Sequence, residues 1–225
     1  MEKESVQRSE SFFVAALLAV AGGFLDAYTY LCRGGVFANA QTGNIVLLGV
    51  HLAQREWVQA LHYLAPIAAF AVGVLAAEFI RARRSDQAGR LHWRHFTLGA
   101  EIVLLAGVSF VPQGDLDAVV NVLVAFVCAL QVETFRKVRG YPFASTMCTG
   151  NLRSGTEALY HGVEAGDPAL LKKSRCYYGV IACFIGGAAL GGLLSAQFPQ
   201  RATLAAAAFQ AAAFAVMLRR DERRR

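Results

Sequence analysis

An acidic residue set inside an apolar stretch and followed by Thr-Gly-Asn occurs twice in this chain. Asp26 precedes Thr42-Gly43-Asn44, Glu133 precedes Thr149-Gly150-Asn151, and both landmarks recur after 107 residues (26 to 133, 42 to 149). A tripeptide that repeats once is weak evidence of duplication, whereas an acid and a tripeptide repeating in one register is stronger. Residues 1–112 and 113–225 therefore read as two copies of one unit, and what the first folds into the second must also fold into.

Composition sets the solvent in which that unit folds. The chain is 56% hydrophobic and 17% charged, against about 25% charged in ordinary soluble domains. A membrane-crossing helix needs about 20 mostly apolar residues. Six stretches qualify, near 11–32, 60–80, 96–112, 116–135, 176–197 and 202–218. The second carries His62 and Glu78 near its ends, and the sixth is rich in alanine. The first lacks a small-residue cleavage site followed by a soluble domain and reads as a retained span.

Lys and Arg favour cytoplasmic connections. The connection after the second segment holds Arg81, Arg83, Arg84, Arg90 and Arg94; that after the fourth holds Arg136, Lys137, Arg139, Arg153, Lys172, Lys173 and Arg175. Asp115 and Asp117 lie between the third and fourth segments without a basic neighbour. With Lys3 and Arg8 at the start and Arg219, Arg220 and Arg223 to Arg225 at the end, both termini are expected in the cytoplasm. The net charge of +6 then follows from topology and not from nucleic-acid binding, because the basic residues occupy short connections and tails.

Three spans per copy is an odd number, so the two copies are expected to insert in opposite senses, as in inverted-repeat transporters. Thr42–Gln54 supplies only about 18 Å of helix, and its counterpart Thr149–His161 contains Arg153 and Glu157. Neither crosses a bilayer alone. Thr is expected as N-cap, Gly as the turn residue, and Asn as an amide donor and acceptor in the first turn. Arg33-Gly34-Gly35 and Gly140-Tyr141-Pro142 ahead of the copies carry loop chemistry. The expectation is an all-α membrane protein of six transmembrane helices, with a re-entrant or half helix in each copy. Its rival takes Val36–Ala53 as a full span, giving four spans per copy and parallel repeats.

Acids within apolar segments are costly and mark cavities by default. Asp26, Glu101 and Glu133 are the candidate coupling acids; the alternative is a structural acid paired with Arg33 or Arg136, or bonded to Tyr28 or Tyr30. Two opposed helix starts, Thr42, Gly43 and Asn44 with Thr149, Gly150 and Asn151, form the candidate substrate-binding residues, since unpaired N–H groups and positive dipole ends attract a polar or anionic group. Asn39, Gln41 and Gln131 are candidates for further polar lining. The small-residue faces at Gly187–Gly191 and at Ala69, Gly73 and Ala77 suit close helix packing, within the chain or between copies in a homo-oligomer. Cys32, Cys128, Cys148, Cys176 and Cys183 read as free thiols. The five histidines, with His92 and His95 read as lying in a loop, form no metal pair. No Walker loop, nucleophile elbow or Rossmann fingerprint occurs, so no metal, cofactor or catalytic residue is expected.

The run Gly23-Phe24-Leu25-Asp26-Ala27, then Thr42-Gly43-Asn44 with its leucine-rich turn, and later Gln131 with Thr149-Gly150-Asn151-Leu152, resembles the YoaK family of uncharacterised bacterial multi-pass inner-membrane proteins. The resemblance covers nearly the whole chain. It implies a protein of the bacterial inner membrane of about this size and supplies neither substrate nor active site.

The residues lead to a small-solute transporter or channel in the lipid bilayer, with a polar or anionic solute held where the two Thr-Gly-Asn starts meet. Two alternatives stand beside it. One is a non-transporting accessory or sensor subunit acting through the faces around Gly73 and Gly187. The other is an intramembrane enzyme built on Asp26 and Glu101, the weaker because no nucleophile and base pair is visible.

Overall fold

The computed structural model describes residues 8–84 and 93–222. Lys3, Arg90, His92 and Arg223 to Arg225, used above for charge and loop assignments, lie outside the described residues, as do the side chains of Arg8, Arg84, Arg219 and Arg220.

Among the described residues, a 3-10 turn at Arg8–Glu10 is followed by eight helices: α1 (Phe12–Cys32), α2 (Gln41–Ala53), α3 (Trp57–Arg84), α4 (Trp93–Val108), α5 (Asp117–Thr134), α6 (Cys148–Glu164), α7 (Pro168–Gln197) and α8 (Thr203–Glu222). A hairpin of β1 (Lys137–Val138) and β2 (Tyr141–Pro142) stands between α5 and α6, with Lys137 opposite Pro142. Six helices coincide with the six apolar segments; the remaining two, α2 and α6, contain Thr-Gly-Asn in their first turns. Among the described residues, four helices are long and apolar enough to cross a membrane: α1, α3, α5 and α7. The 16 residues of α4 give about 24 Å of helix against a hydrocarbon core of about 30 Å.

Local chemistry accounts for the helix ends. The Ser11 hydroxyl accepts from the Val14 amide at 3.3 Å and starts α1. Gly34 and Gly35, at φ 82° and 75°, take backbone conformations that side chains disfavour and turn the chain away after it. Asp167 caps α7 by accepting from the Ala169 amide at 2.7 Å, with Pro168 in the first helical position. Two details differ from expectation. Arg94 and His95, read as loop residues, lie in the first turn of α4; His95 is buried there, edge-on to Phe214 at 5.6 Å. The threonines are not N-caps: those positions are Ala40 and Met147, without side-chain caps. The helices begin before Thr42 and Thr149 because each Asn anchors the preceding loop, as described below.

Packing rests on bare backbone. A Cβ on Gly23 would sit 2.0 Å from the carbonyl oxygen of Phe184, and one on Gly187 2.1 Å from that of Val20. Helices α1 and α7 thus meet at a separation only glycine allows. Gly73 brings α3 onto α5, its missing Cβ 2.8 Å from the Phe126 carbonyl oxygen. The faces around Gly73 and Gly187, offered above as surfaces for a partner, are therefore occupied inside the chain. The main helix pairings recur when the two halves are exchanged at the 107-residue offset: α1 with α7 becomes α5 with α3, α2 with α3 becomes α6 with α7, α1 with α8 becomes α5 with α4, and α4 with α8 maps onto itself, whereas the contact of α3 with α4 has no equal between α7 and α8.

Arg33 closes one end of the bundle. Fully buried, it donates to the Tyr28 hydroxyl at 2.7 Å, to Asp117 Oδ1 at 2.6 Å, and to the carbonyls of Val111 and Pro112 at 2.8 Å. It ties the end of α1 to the α4–α5 connection and leaves Asp26 without an arginine partner.

Candidate functional site

The loop after α1 doubles back along the helix it has left. The Asn39 amide donates to Asp26 Oδ1 at 2.8 Å, its side-chain amide donates to the Gly22 carbonyl at 2.9 Å, and the Ala38 amide donates to the Thr29 hydroxyl at 3.3 Å. These bonds satisfy backbone that would otherwise be buried without partners. They deliver the start of α2 to the level of Asp26, fewer than two turns before the end of α1.

Each Asn of Thr-Gly-Asn then clamps one residue of the loop before it, through both its N–H and its C=O. Asn44 Oδ1 accepts from the Phe37 amide at 3.2 Å while its Nδ2 donates to the Phe37 carbonyl at 2.6 Å. Asn151 does the same at Ala144, at 3.3 and 2.7 Å. Phe37 and Ala144 are themselves 107 positions apart, so the two clamps share the offset of the two Thr-Gly-Asn motifs. Both asparagines are buried in this work and leave their neighbours free to face elsewhere.

Those neighbours face a cavity of about 780 Å³. From the first copy it is lined by Asp26, Tyr30, Phe37, Asn39, Gln41 and Thr42, with Ile67 and Phe70 of α3; from the second by Thr146, Cys148, Thr149 and Gly150, with Phe184 and Ala188 of α7. The two helix starts thus open into one space with Asp26 beside them. Asp26 is 6% exposed. Among the described residues lining the cavity there is no Lys, Arg or His.

Other expected members lie elsewhere. Gly43 is not among the lining residues; a Cβ there would press on the Phe37 ring at 3.2 Å. Glu133, the register mate of Asp26, is paired with Arg136 and lies 4.0 Å from Arg81, with Glu78 bridging the same two arginines. Glu101 is fully buried in α4, where Oε2 accepts from Gln210 Nε2 at 3.0 Å and Oε1 has no hydrogen-bond partner. Gln210 Nε2 also donates to Gln131 Oε1 at 3.0 Å, and Gln131 Nε2 donates to the Ser145 hydroxyl at 2.8 Å and the Leu18 carbonyl at 3.2 Å. Gln131 therefore belongs to this buried chain and not to the lining, whereas Asn39 and Gln41 do line the cavity. Gln210 escaped the sequence reading although a lone amide in an alanine-rich segment marks such a partner. The aromatic walls escaped it because their residues come from four separate elements.

A helical bundle with four helices long and apolar enough to cross a membrane, beside a half-open cavity, marks the chain as a membrane protein. The chain belongs to the family described as "Protein of unknown function (DUF1275)", whose pattern it matches over residues 14–217. It is similar to the UPF0700 transmembrane protein YoaK of Bacillus subtilis (strain 168), with 27% identity over 150 residues that make up 64% of this chain and 65% of that protein. The chain thus spans about two thirds of that relative's length. No solved structure matches it.

Proposed function

We propose that this protein is a small-solute transporter or channel whose site is the cavity between the two Thr-Gly-Asn helix starts. The observation that carries the reading is that Asp26, Thr42 and Thr149 line one space. Side chains from two copies of a duplicated unit converge there, as inverted-repeat transporters arrange at their midplane.

The topology proposed with it has six spans, both termini cytoplasmic, and residues 1–112 and 113–225 inserted in opposite senses in the bacterial inner membrane. The exchange of contacts between copies supports this arrangement. So do the loops that fold back before α2 and α6, because irregular backbone at membrane depth survives only beside protein or a cavity. Asp26 is the coupling acid for a proton or cation. Glu133, engaged with Arg136 and Arg81, serves as a latch between α3 and α5, and Glu101 holds α4 to α8 through Gln210. No covalent step is assigned to any residue.

The test is uptake by proteoliposomes containing the full-length protein, across a panel of small solutes, beside Thr42→Trp and Thr149→Trp. Filling the cavity from either side should abolish any uptake the wild type shows. If no solute enters faster than in protein-free vesicles, the transport reading fails.

A further inference from the structure

The chemistry of this cavity selects its solute more narrowly than two helix starts suggest. A helix N-terminus attracts anions through its free N–H groups, but the start of α2 already faces a carboxylate of the chain itself. The Asn39 amide just ahead of that start donates to Asp26 Oδ1 at 2.8 Å. An anion entering the cavity would meet that carboxylate with no basic side chain in the lining to offset it, and like charges repel.

The walls supply the complementary feature. Tyr30, Phe37, Phe70 and Phe184 come together from α1, the first loop, α3 and α7, and the rings of Tyr30 and Phe37 stack at 4.6 Å and 17°. Ring faces attract cations, more so when water is excluded. At the rim, Tyr30, Leu31, Ile45 and Met147 are all exposed, so the mouth is greasy and suits a body that partitions into lipid. A volume near 780 Å³ lies in the range of pockets that enclose drug-sized molecules.

We infer that the cavity takes an organic cation with an apolar or aromatic body, its charge held by Asp26 and its body by the surrounding rings. This rests on the solute-site reading of the same cavity and names the substrate class.

The experiment compares two probes of nearly equal shape and opposite charge, tetraphenylphosphonium and tetraphenylborate, by equilibrium dialysis against the full-length protein in detergent micelles. The expected result is saturable binding of the phosphonium and none of the borate. Asp26→Asn should weaken phosphonium binding at least tenfold, and Phe184→Ala several-fold, in variants whose thermal melting shows them folded. Borate binding as tight as phosphonium, phosphonium binding untouched by Asp26→Asn, or no binding of either probe would overturn the inference. Its failure is separable from that of transport. Uptake of another solute that Thr149→Trp blocks would leave transport standing without the cation, whereas phosphonium binding without any uptake would leave a cation site in a protein that does not transport.

Discussion

Asn44 and Asn151 grip the peptides of Phe37 and Ala144 from both sides, each with one accepted and one donated hydrogen bond seven residues back in the chain. An amide is the only neutral side-chain group that can accept and donate at once in this geometry.

Replacing either asparagine by Ala leaves a half-buried N–H and C=O of the loop unpaired. Each of Asn44→Ala and Asn151→Ala should cost about 2 kcal/mol, read as a lowered melting temperature of the purified protein in detergent. Asn→Asp at the same positions keeps the acceptor but sets a carboxylate oxygen against the loop carbonyl, and should be no more stable than Ala. Equal stability of all three forms at either position would show that the clamp contributes nothing.

Asp26→Asn keeps an oxygen to accept from the Asn39 amide, so the fold should survive with a change of about 1 kcal/mol or less. Uptake driven by a proton or cation gradient should disappear, whereas passive flux through a channel should persist. Proteoliposomes with and without an imposed gradient separate the two.

At Gly187, where an added Cβ lands 2.1 Å from the Val20 carbonyl oxygen, Gly187→Ala should destabilise the protein by about 3 kcal/mol, at the upper end of overpacking costs. The adjacent Gly186 has nothing within 4 Å of its ideal Cβ, and Gly186→Ala should be tolerated. Paired melting curves make the comparison, with total expression as a cross-check.

Arg33→Lys preserves charge but not the spread of donors that reaches Tyr28, Asp117, Val111 and Pro112 together. It should lose about 3 kcal/mol, because two carbonyls, the Asp117 carboxylate and a buried phenol would compete for one ammonium. Protease resistance of the α4–α5 connection in sealed vesicles is the readout, with earlier cleavage expected in the variant.

The elements most legible in the sequence were those set by composition and short-range pattern. The six apolar segments became six helices, and the two short ones followed from Thr-Gly-Asn and the stretches too brief or too polar to span. What could not be read was any feature decided by residues distant in sequence. Asp26 and Glu133 occupy the same register, yet one lines a cavity and the other joins arginines: Arg136, three residues further along the chain, and Arg81, which α3 brings within 4.0 Å. The capping assignment failed for a local reason, since Asn44 and Asn151 fix the preceding peptides and let helical geometry begin before the threonines. The glycine faces were recognised from spacing, but their partners, α1 for Gly187 and α5 for Gly73, are fixed by tertiary structure alone.

The bare meeting of Gly23 with the Phe184 carbonyl also bears on biogenesis. Helix α1 emerges from the ribosome long before α7 exists, and until then its glycine groove can be filled only by lipid tails or a chaperone. Final assembly must therefore wait for nearly complete synthesis. A ribosome stalled after α5 would leave an N-terminal fragment inserted but unlocked, a ready substrate for membrane quality control.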